Sequence, residues 1–439
     1  MAPPGGSMSR NRATAPEFSR AQRETRRGRT RSVPWSTWVE LSRSPDRPRS
    51  PGCTVPAGLW MTRSVETMNQ TGRRSPLDDL STPFLYVDLD RMSSNIAAMA
   101  AAARDLGVRL RPHAKTHKVP EIARLQIAAG ATGVTVSKVS EAEVFADAGI
   151  DDLFVAYQVV APAQRERLVR LARKSQLWCA VDSREGAEFL SSGAVVAGIR
   201  LQLMLEIDLG IGRTGVRAGV AARELAQRIT DLPGLELVGV YGFRGFRAFA
   251  EGAESRERWG RAEGEALVAA ADDLRACGLP IAEVSAGSTP TALPAGSVRG
   301  VTEIRPGQYL FGCANIVAQG AMRADDVALF ARATVISRPA DDRAVVDAGS
   351  KTLSTDGPWQ PGRGFGYLAS DPATRVVSLW EEHGVLGLGE MSRGLRVGDR
   401  VSIVPNHVCT AINLHNRLVG VHDDRVEEVW KVAARGRIE

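Results

Sequence analysis

The sequence predicts a (β/α)8 barrel followed by a separate C-terminal β-domain. Three observations carry this. Eight short apolar segments between residues 108 and 307 alternate with amphipathic stretches of helical length, as in a parallel sheet with crossover helices. No GxGxxG follows the first strand, which weighs against a doubly wound dinucleotide fold. From about residue 328 the segments become short, Val-rich and punctuated by Gly, Pro or Asp, and helical periodicity nearly vanishes.

Residues 1–75 come first and stand apart. They hold 14 arginines, no lysine and 5 acids, a charge of +9, while the remainder carries 42 basic and 45 acidic groups, or −3. The net charge of +6 therefore belongs to this segment, and a mildly acidic body argues against nucleic-acid binding. Arg, Pro, Ser and Gly dominate without an apolar period, so disorder is expected. No apolar stretch follows the early charges, so the segment is not a secretory signal. One reading is an RNA-binding or targeting arm. The other is a nonfunctional extension ahead of a start at Met61 or Met68. Trp35, Trp38 and Trp60 are too isolated to build a core.

Order is expected from Ser81-Thr82-Pro83. Phe84–Asp88 reads as a strand, and Asp90 as the cap of a helix running to Arg104. The eight barrel strands are then Val108–Lys115, Gly133–Ser137, Asp152–Gln158, Gln176–Ser183, Gly198–Asp208, Leu235–Phe243, Glu283–Ser288 and Thr302–Gly307. Ser140–Ala148, Ala163–Arg173 and Ala221–Thr230 read as crossover helices. The barrel spans 81–325 and the β-domain 326–439. Strands of the latter are expected at Phe330–Arg338, Arg343–Asp347, Arg375–Ser378, Arg400–Val404, Leu418–Val421 and Val426–Val432. No run of about 18 apolar residues occurs, so no transmembrane helix is expected. Cysteines 53, 179, 277, 313 and 409 form no CxxC pair, which points to a reducing, cytoplasmic setting.

Barrel chemistry sits at the C-terminal ends of the strands. The first strand ends in Arg111-Pro112-His113-Ala114-Lys115-Thr116-His117-Lys118. Crowding by Arg111, Lys118 and two imidazoles disfavours the Lys115 ammonium and frees the amine for a Schiff base. The competing reading is a solvated basic loop. The seventh strand leads into Ser285-Ala286-Gly287-Ser288-Thr289 and the eighth into Arg305-Pro306-Gly307-Gln308-Tyr309. Barrels often bind phosphate there, on glycine-allowed turns with hydroxyl and amide donors. A phosphate site and an activated lysine in one mouth suggest pyridoxal phosphate. In the β-domain, His407 and Cys409 stand at i and i+2, on one side of an extended strand. Imidazole and thiolate suit Zn2+. An isolated pair of this kind also reads as a buried cysteine beside an ordinary histidine. His383 and His415 are further polar groups that could stand near the site.

Together the stretches STPFLYVDLD, RPHAKTHK, EIDLGIGRTGV, SAGSTPT, TEIRPGQYLF, VVDAGSK, EEHG and VPNHVCTAINLHN resemble the D-serine dehydratase/D-threonine aldolase family of fold-type III pyridoxal phosphate enzymes. The resemblance covers residues 81–435. It implies an alanine-racemase-like barrel, a C-terminal β-domain and a homodimer. It implies Lys115 as the Schiff-base lysine and Arg213 and Thr214 along the cofactor. Ser288, Thr289, Gly307 and Tyr309 would hold its phosphate, and His407 and Cys409 a divalent metal. A cysteine at the second ligand position favours the dehydratase side, since the aldolases typically carry Asp there. One stretch departs from the family. Its usual Gly-Tyr-x-Gly-His reads Gly242-Phe243-Arg244-Gly245-Phe246, and neither phenyl ring can hydrogen-bond.

The resemblance implies a lyase on D-3-hydroxy amino acids, most like D-serine dehydratase, with zinc as the metal. A D-threonine aldolase and an amino-acid racemase are the enzymatic alternatives. A non-catalytic pyridoxal phosphate carrier would lack the metal pair, and an RNA-binding protein would not have an acidic body. No nucleic-acid or membrane partner is expected.

Overall fold

A computed structural model of the protein describes residues 76–245, 253–358 and 364–439. The expected disorder of residues 1–75 and the replacement at Phe246 lie outside the described residues.

Strand β1 (Phe84–Asp88) leads into the helix Leu89–Asp105. The cap is Asp88, not Asp90. Asp88 keeps an extended backbone and its carboxylate accepts from the Arg91 amide at 3.0 Å, as a cap requires, while Asp90 already lies in the first turn.

Eight parallel strands follow: β2 (Arg109–Leu110), β3 (Val134–Val136), β4 (Asp152–Gln158), β5 (Gln176–Val181), β6 (Leu201–Ile207), β7 (Leu235–Gly242), β8 (Glu283–Ala286) and β9 (Glu303–Ile304). Their order is β2-β9-β8-β7-β6-β5-β4-β3. The ends of this sheet meet where a parallel bridge joins His113 to Thr135 and the Thr135 amide donates to Pro112 O at 2.8 Å. All eight expected strands are present. The first and last are two residues long because the chain turns away early to build the site. Helices Val139–Asp147, Pro162–Ala172 and Val220–Asp231 fall within one residue of their expected limits. Leu203, Leu205, Val240 and Val284 are fully buried in the barrel core. Truncating such a side chain to Ala costs about 2–5 kcal/mol.

β1 does not join this sheet, although its place in the chain falls within 81–325. It pairs antiparallel with β10 (Leu329–Ala340) and parallel with β16 (Arg417–His422). With β11 (Arg343–Val346), β12 (Gly366–Leu368), β13 (Asp371–Leu379), β14 (Gly384–Gly387), β15 (Arg400–Pro405) and β17 (Arg425–Lys431) it forms a second sheet, ordered β11-β14-β13-β12-β15-β10-β1-β16-β17. The cause is side-chain alternation. Leu85 and Val87 point into this sheet's core with Ala331 and Ile403, all fully buried. The sequence reading missed β12 and β14, which are short and open on glycine.

The two sheets meet at the barrel mouth. The Ala434 amide donates to Lys118 O at 3.1 Å, and Ser140 N donates to Glu439 O at 3.2 Å. These bonds hold the end of the β-domain against the turns after β2 and β3. Among the described residues no helix is long and apolar enough to cross a membrane.

Candidate active site

A cavity of about 540 Å³ opens at the C-terminal ends of the barrel strands, under the edge of the β-domain. His113, Lys115, Arg213, Thr214, Ser288, Thr289, Gly307, His407 and Cys409 all line it. The fold therefore gathers eight of the nine residues singled out from the sequence, and adds His113. The exception is Tyr309. Its ring is buried beneath the turn, and its hydroxyl accepts from Gln126 Nε2 at 2.9 Å. Gln308 lines the cavity in its stead. His415 instead bonds Thr352 O at 3.1 Å, and His383 is exposed; neither lines the cavity.

Lys115 stands on a single 3-10 turn, Ala114–Thr116, just beyond β2. Its tip opens onto the cavity while protein surrounds it. Burial lowers its ammonium below the ordinary value; Cys409 and Glu141 oppose the shift, and Arg213 and Arg305 add to it. The neighbours expected to do this are otherwise engaged. Arg111 is buried inside the barrel, where its Nε donates to Glu303 at 2.8 Å and its guanidinium lies 4.5 Å over the Trp178 ring. Lys118 is paired with Glu141 at 2.9 Å. His117 faces away, its Nε2 at 3.2 Å from Gln126 Oε1. Of the two imidazoles only His113 faces the site. Burial, then Lys115 and Arg305, hold it well below its usual value. Its buried Nδ1 has no hydrogen-bond partner among the described residues.

At another part of the wall the turns after β8 and β9 face each other. Thr289 Oγ1 accepts from the amides of Gly307 at 3.2 Å and Gln308 at 2.8 Å. Ser288 Oγ lies 3.0 Å from Thr291 Oγ1. A Cβ on Gly307 would stand 2.7 Å from Thr116 Oγ1 and 3.1 Å from His113 O. Glycine thus lets this turn close onto the Lys115 turn. Gly287, at φ +84°, gives its amide to the buried Glu263 at 3.0 Å.

Between these groups lies a polar cluster. Glu206 on β6 accepts from Tyr241 Oη at 2.7 Å, from Thr214 Oγ1 at 2.9 Å and from Gln158, and sits 3.5 Å from Arg213. Arg213 also lies 4.9 Å over the Phe243 ring, so a cation–π contact exists where the family's tyrosine is absent. Arg305 donates to Ser285 Oγ and to Gly242 O, each at 2.8 Å. Sequence reasoning overlooked Glu206 and Arg305. The signal was present, since Glu206 puts a charge in a mostly apolar strand and a buried charge needs partners.

The His407–Cys409 pair reaches the cavity from the β-domain. The strand argument that placed the two on one side does not hold, because β15 ends at Pro405 and His407 is the N-cap of the helix Val408–Asn413. The side chains nevertheless converge. The pair is hydrogen-bonded, and Thr116 Oγ1 lies 3.3 Å from Cys409 Sγ. His407 Nδ1 is 2.6 Å from Asp356 Oδ2. Burial works against a charged His407, but Cys409 and Asp356 raise it to about 10. Burial raises the Cys409 thiol, and His407, Thr116 and Lys115 together bring it below its usual value. Asp356 lies 51 residues before His407, and nothing in its local sequence marks it. Among the described residues no third His, Cys, Asp or Glu completes a metal cage.

Barrel, β-domain and a lysine-centred mouth define a protein of the alanine racemase fold. The family model for the alanine racemase N-terminal domain matches residues 87–315, and that for a putative serine dehydratase domain matches residues 328–421. The chain belongs to this family and is a lyase of it. It is 36% identical to the D-threonine aldolase of Arthrobacter sp, over 82% of this chain and 94% of that one. It is 39% identical to the D-threo-3-hydroxyaspartate dehydratase of Delftia sp. strain HT23, over 75% and 91%. The solved structure of the Delftia enzyme superimposes with a TM-score of 0.76 at 34% identity, covering 82% of this chain and 99% of that one. Its solved variants include one with a histidine replaced by alanine and one, metal-free, with the cysteine two positions later replaced. The D-serine dehydratase of Dictyostelium discoideum is more distant, at 27% identity over 76% and 91%.

Proposed function

We propose that the protein is a pyridoxal phosphate- and divalent-metal-dependent lyase that eliminates the β-hydroxyl of D-3-hydroxy amino acids. The observation that carries this reading is that one cavity is lined by Lys115, by the Ser288–Thr289 and Gly307–Gln308 turns, and by the His407–Cys409 pair.

The residues fit the cofactor. Lys115 offers an amine with a lowered proton affinity, the Ser288 and Thr289 hydroxyls at the cavity wall suit a phosphate, and Gly307 lets its turn close onto the Lys115 turn. They fit a metal as well, with an imidazole held through Nδ1 by a carboxylate and a thiol beside it. A thiolate ligand favours zinc. When bound, pyridoxal phosphate supplies an electron sink for charge developing at Cα, and the metal supplies a Lewis acid for the β-oxygen.

The chain's own residues supply the rest. Burial lowers the proton affinity of Lys115 Nζ, the amine that would accept the Cα proton. Arg213, fixed between Glu206 and Phe243, presents a cation to anionic ligands. Asp356 fixes the His407 ring through Nδ1 beside Cys409. The net reaction converts the amino acid to a 2-oxo acid and ammonia; the water lost at Cβ is regained when the C–N bond is hydrolysed. The resemblance extends the proposal to a cytoplasmic homodimer.

A second reading is favoured by the Arthrobacter relative, which is an aldolase by name. It predicts Cα–Cβ cleavage to glycine and an aldehyde. The sequence pointed first to D-serine; relatives of higher identity carry D-threonine and D-threo-3-hydroxyaspartate in their names. Product analysis on D-serine, D-threonine and 3-hydroxy-D-aspartate, with pyridoxal phosphate and Zn2+, separates the two. Ammonia with a 2-oxo acid is the expected result, and glycine with an aldehyde refutes the elimination.

A further inference from the structure

We infer that Lys138 selects substrates bearing a second carboxylate on Cβ. The inference rests on the lyase reading and names the substrate class within it. Lys138 lies two residues beyond the Val134–Val136 strand, next to the Lys115 strand in the barrel, and lines the same cavity. Its ammonium lies 3.6 Å from the centroid of the Tyr157 ring, which fixes the charge without neutralising it. Tyr157 is 40% exposed, so the pair stands at an accessible part of the wall.

The acids nearby are committed to other donors. Glu141, three residues on, accepts from the Ser137 amide at 2.7 Å and pairs with Lys118 at 2.9 Å. Glu206 accepts from Tyr241, Thr214 and Gln158 and meets Arg213. Among the described residues, no carboxylate pairs with Lys138. The cavity wall carries the cations Lys138, Arg213 and Arg305 beside the Lys115 amine, against the single carboxylate Glu206. A cation at the cavity wall without an acid partner is the group that would bind a further carboxylate on the substrate. A methyl group on Cβ, as in D-threonine, leaves Lys138 unanswered.

The test compares kcat/KM for 3-hydroxy-D-aspartate and for D-threonine in the holoenzyme. The wild type is expected to favour the diacid by about tenfold or more, the scale of one charge-assisted hydrogen bond. Lys138→Met should lower that ratio by about tenfold, and Lys138→Arg should keep most of it. An unchanged ratio in Lys138→Met, or equal losses on both substrates, overturns the inference. A ligand assay separates it from the lyase reading. D-malate should raise the Tm of the wild type more than D-lactate does, and Lys138→Met should abolish the difference. If neither amino acid is consumed, the lyase reading falls and the malate assay alone decides. An equal response of wild type and variant to malate then overturns the role of Lys138.

Discussion

Lys115 and Asp356 show how much of this site depends on single contacts. Lys115 is the only lysine whose lowered proton affinity coincides with a place in the cavity wall. Lys115→Ala should leave the circular dichroism spectrum intact and remove the long-wavelength absorbance that protein gains with pyridoxal phosphate. Retention of that band, or its attachment to Lys118 after borohydride reduction, would assign the cofactor to another amine. Asp356 holds the His407 ring, the imidazole proposed as a metal ligand, through Nδ1. Asp356→Asn should weaken Zn2+ binding by about 10–100-fold in equilibrium dialysis. Cys409→Asp should move the preference towards Mn2+, because a hard carboxylate replaces a soft thiolate.

At the scale of elements, two turns and one strand show where local chemistry governs. Gly307 brings the turn after β9 against the Lys115 turn, and a methyl group there would meet Thr116 Oγ1 at 2.7 Å. Gly307→Ala should therefore raise the cofactor's dissociation constant while changing Tm little, because the strain falls on the turns lining the cavity and not on the barrel core. A large fall in Tm with unchanged cofactor affinity would contradict this. Asp371 opens β13, and its carboxylate accepts from Thr374 Oγ1 and Ser392 Oγ, both at 2.7 Å. Those bonds hold it below the usual carboxylate range. The unfolded chain consequently takes up the proton first as pH falls. The stabilisation is complete above about pH 4, near the unfolded value, and is lost as pH falls through the folded one. Asp371→Asn should cost about 1–3 kcal/mol at neutral pH, and denaturant titrations should show that cost shrinking in acid.

Much of this organisation was legible in the residues themselves. Apolar periodicity located all eight barrel strands, and three crossover helices to within a residue, because burial writes a regular pattern. Strand-end position and residue chemistry pointed to Lys115, Ser288, Thr289 and Gly307, which the fold brings to one cavity wall. The rest depends on distance in the chain. Periodicity gives no sign that β1 leaves the barrel for a partner more than 200 residues away, or that Asp356 meets His407. Parity failed for His407 and Cys409 because a helix begins between them. Tyr309 was misjudged because a 3-10 turn rotates it into the interior, where Gln126 takes its hydroxyl.

For the molecule as a whole, the barrel and the β-domain share one site, so neither is expected to bind the cofactor alone. Residues 328–439 expressed separately lack β1, which leaves β10 and β16 with unpaired edges in the middle of the sheet. That fragment should aggregate, and mixing it with residues 76–327 should restore solubility. A soluble, monomeric fragment with a cooperative melt would show that β1 is dispensable.

The same strand sets a timetable for synthesis. β1 emerges from the ribosome early, but its neighbour β16 begins at Arg417, 329 residues after β1 ends. At about 5–20 residues per second, translation leaves that edge unmated for roughly 15–65 s. Barrel strands β3 to β9 each pair with a strand adjacent in the chain, and β2 closes on β9, so the barrel can assemble during that interval. The nascent chain would then carry a finished barrel with an exposed apolar strand at its front. Trigger-type chaperones that cover such edges, and codon usage that slows or hastens the last hundred residues, should govern its yield more than the stability of the finished fold does.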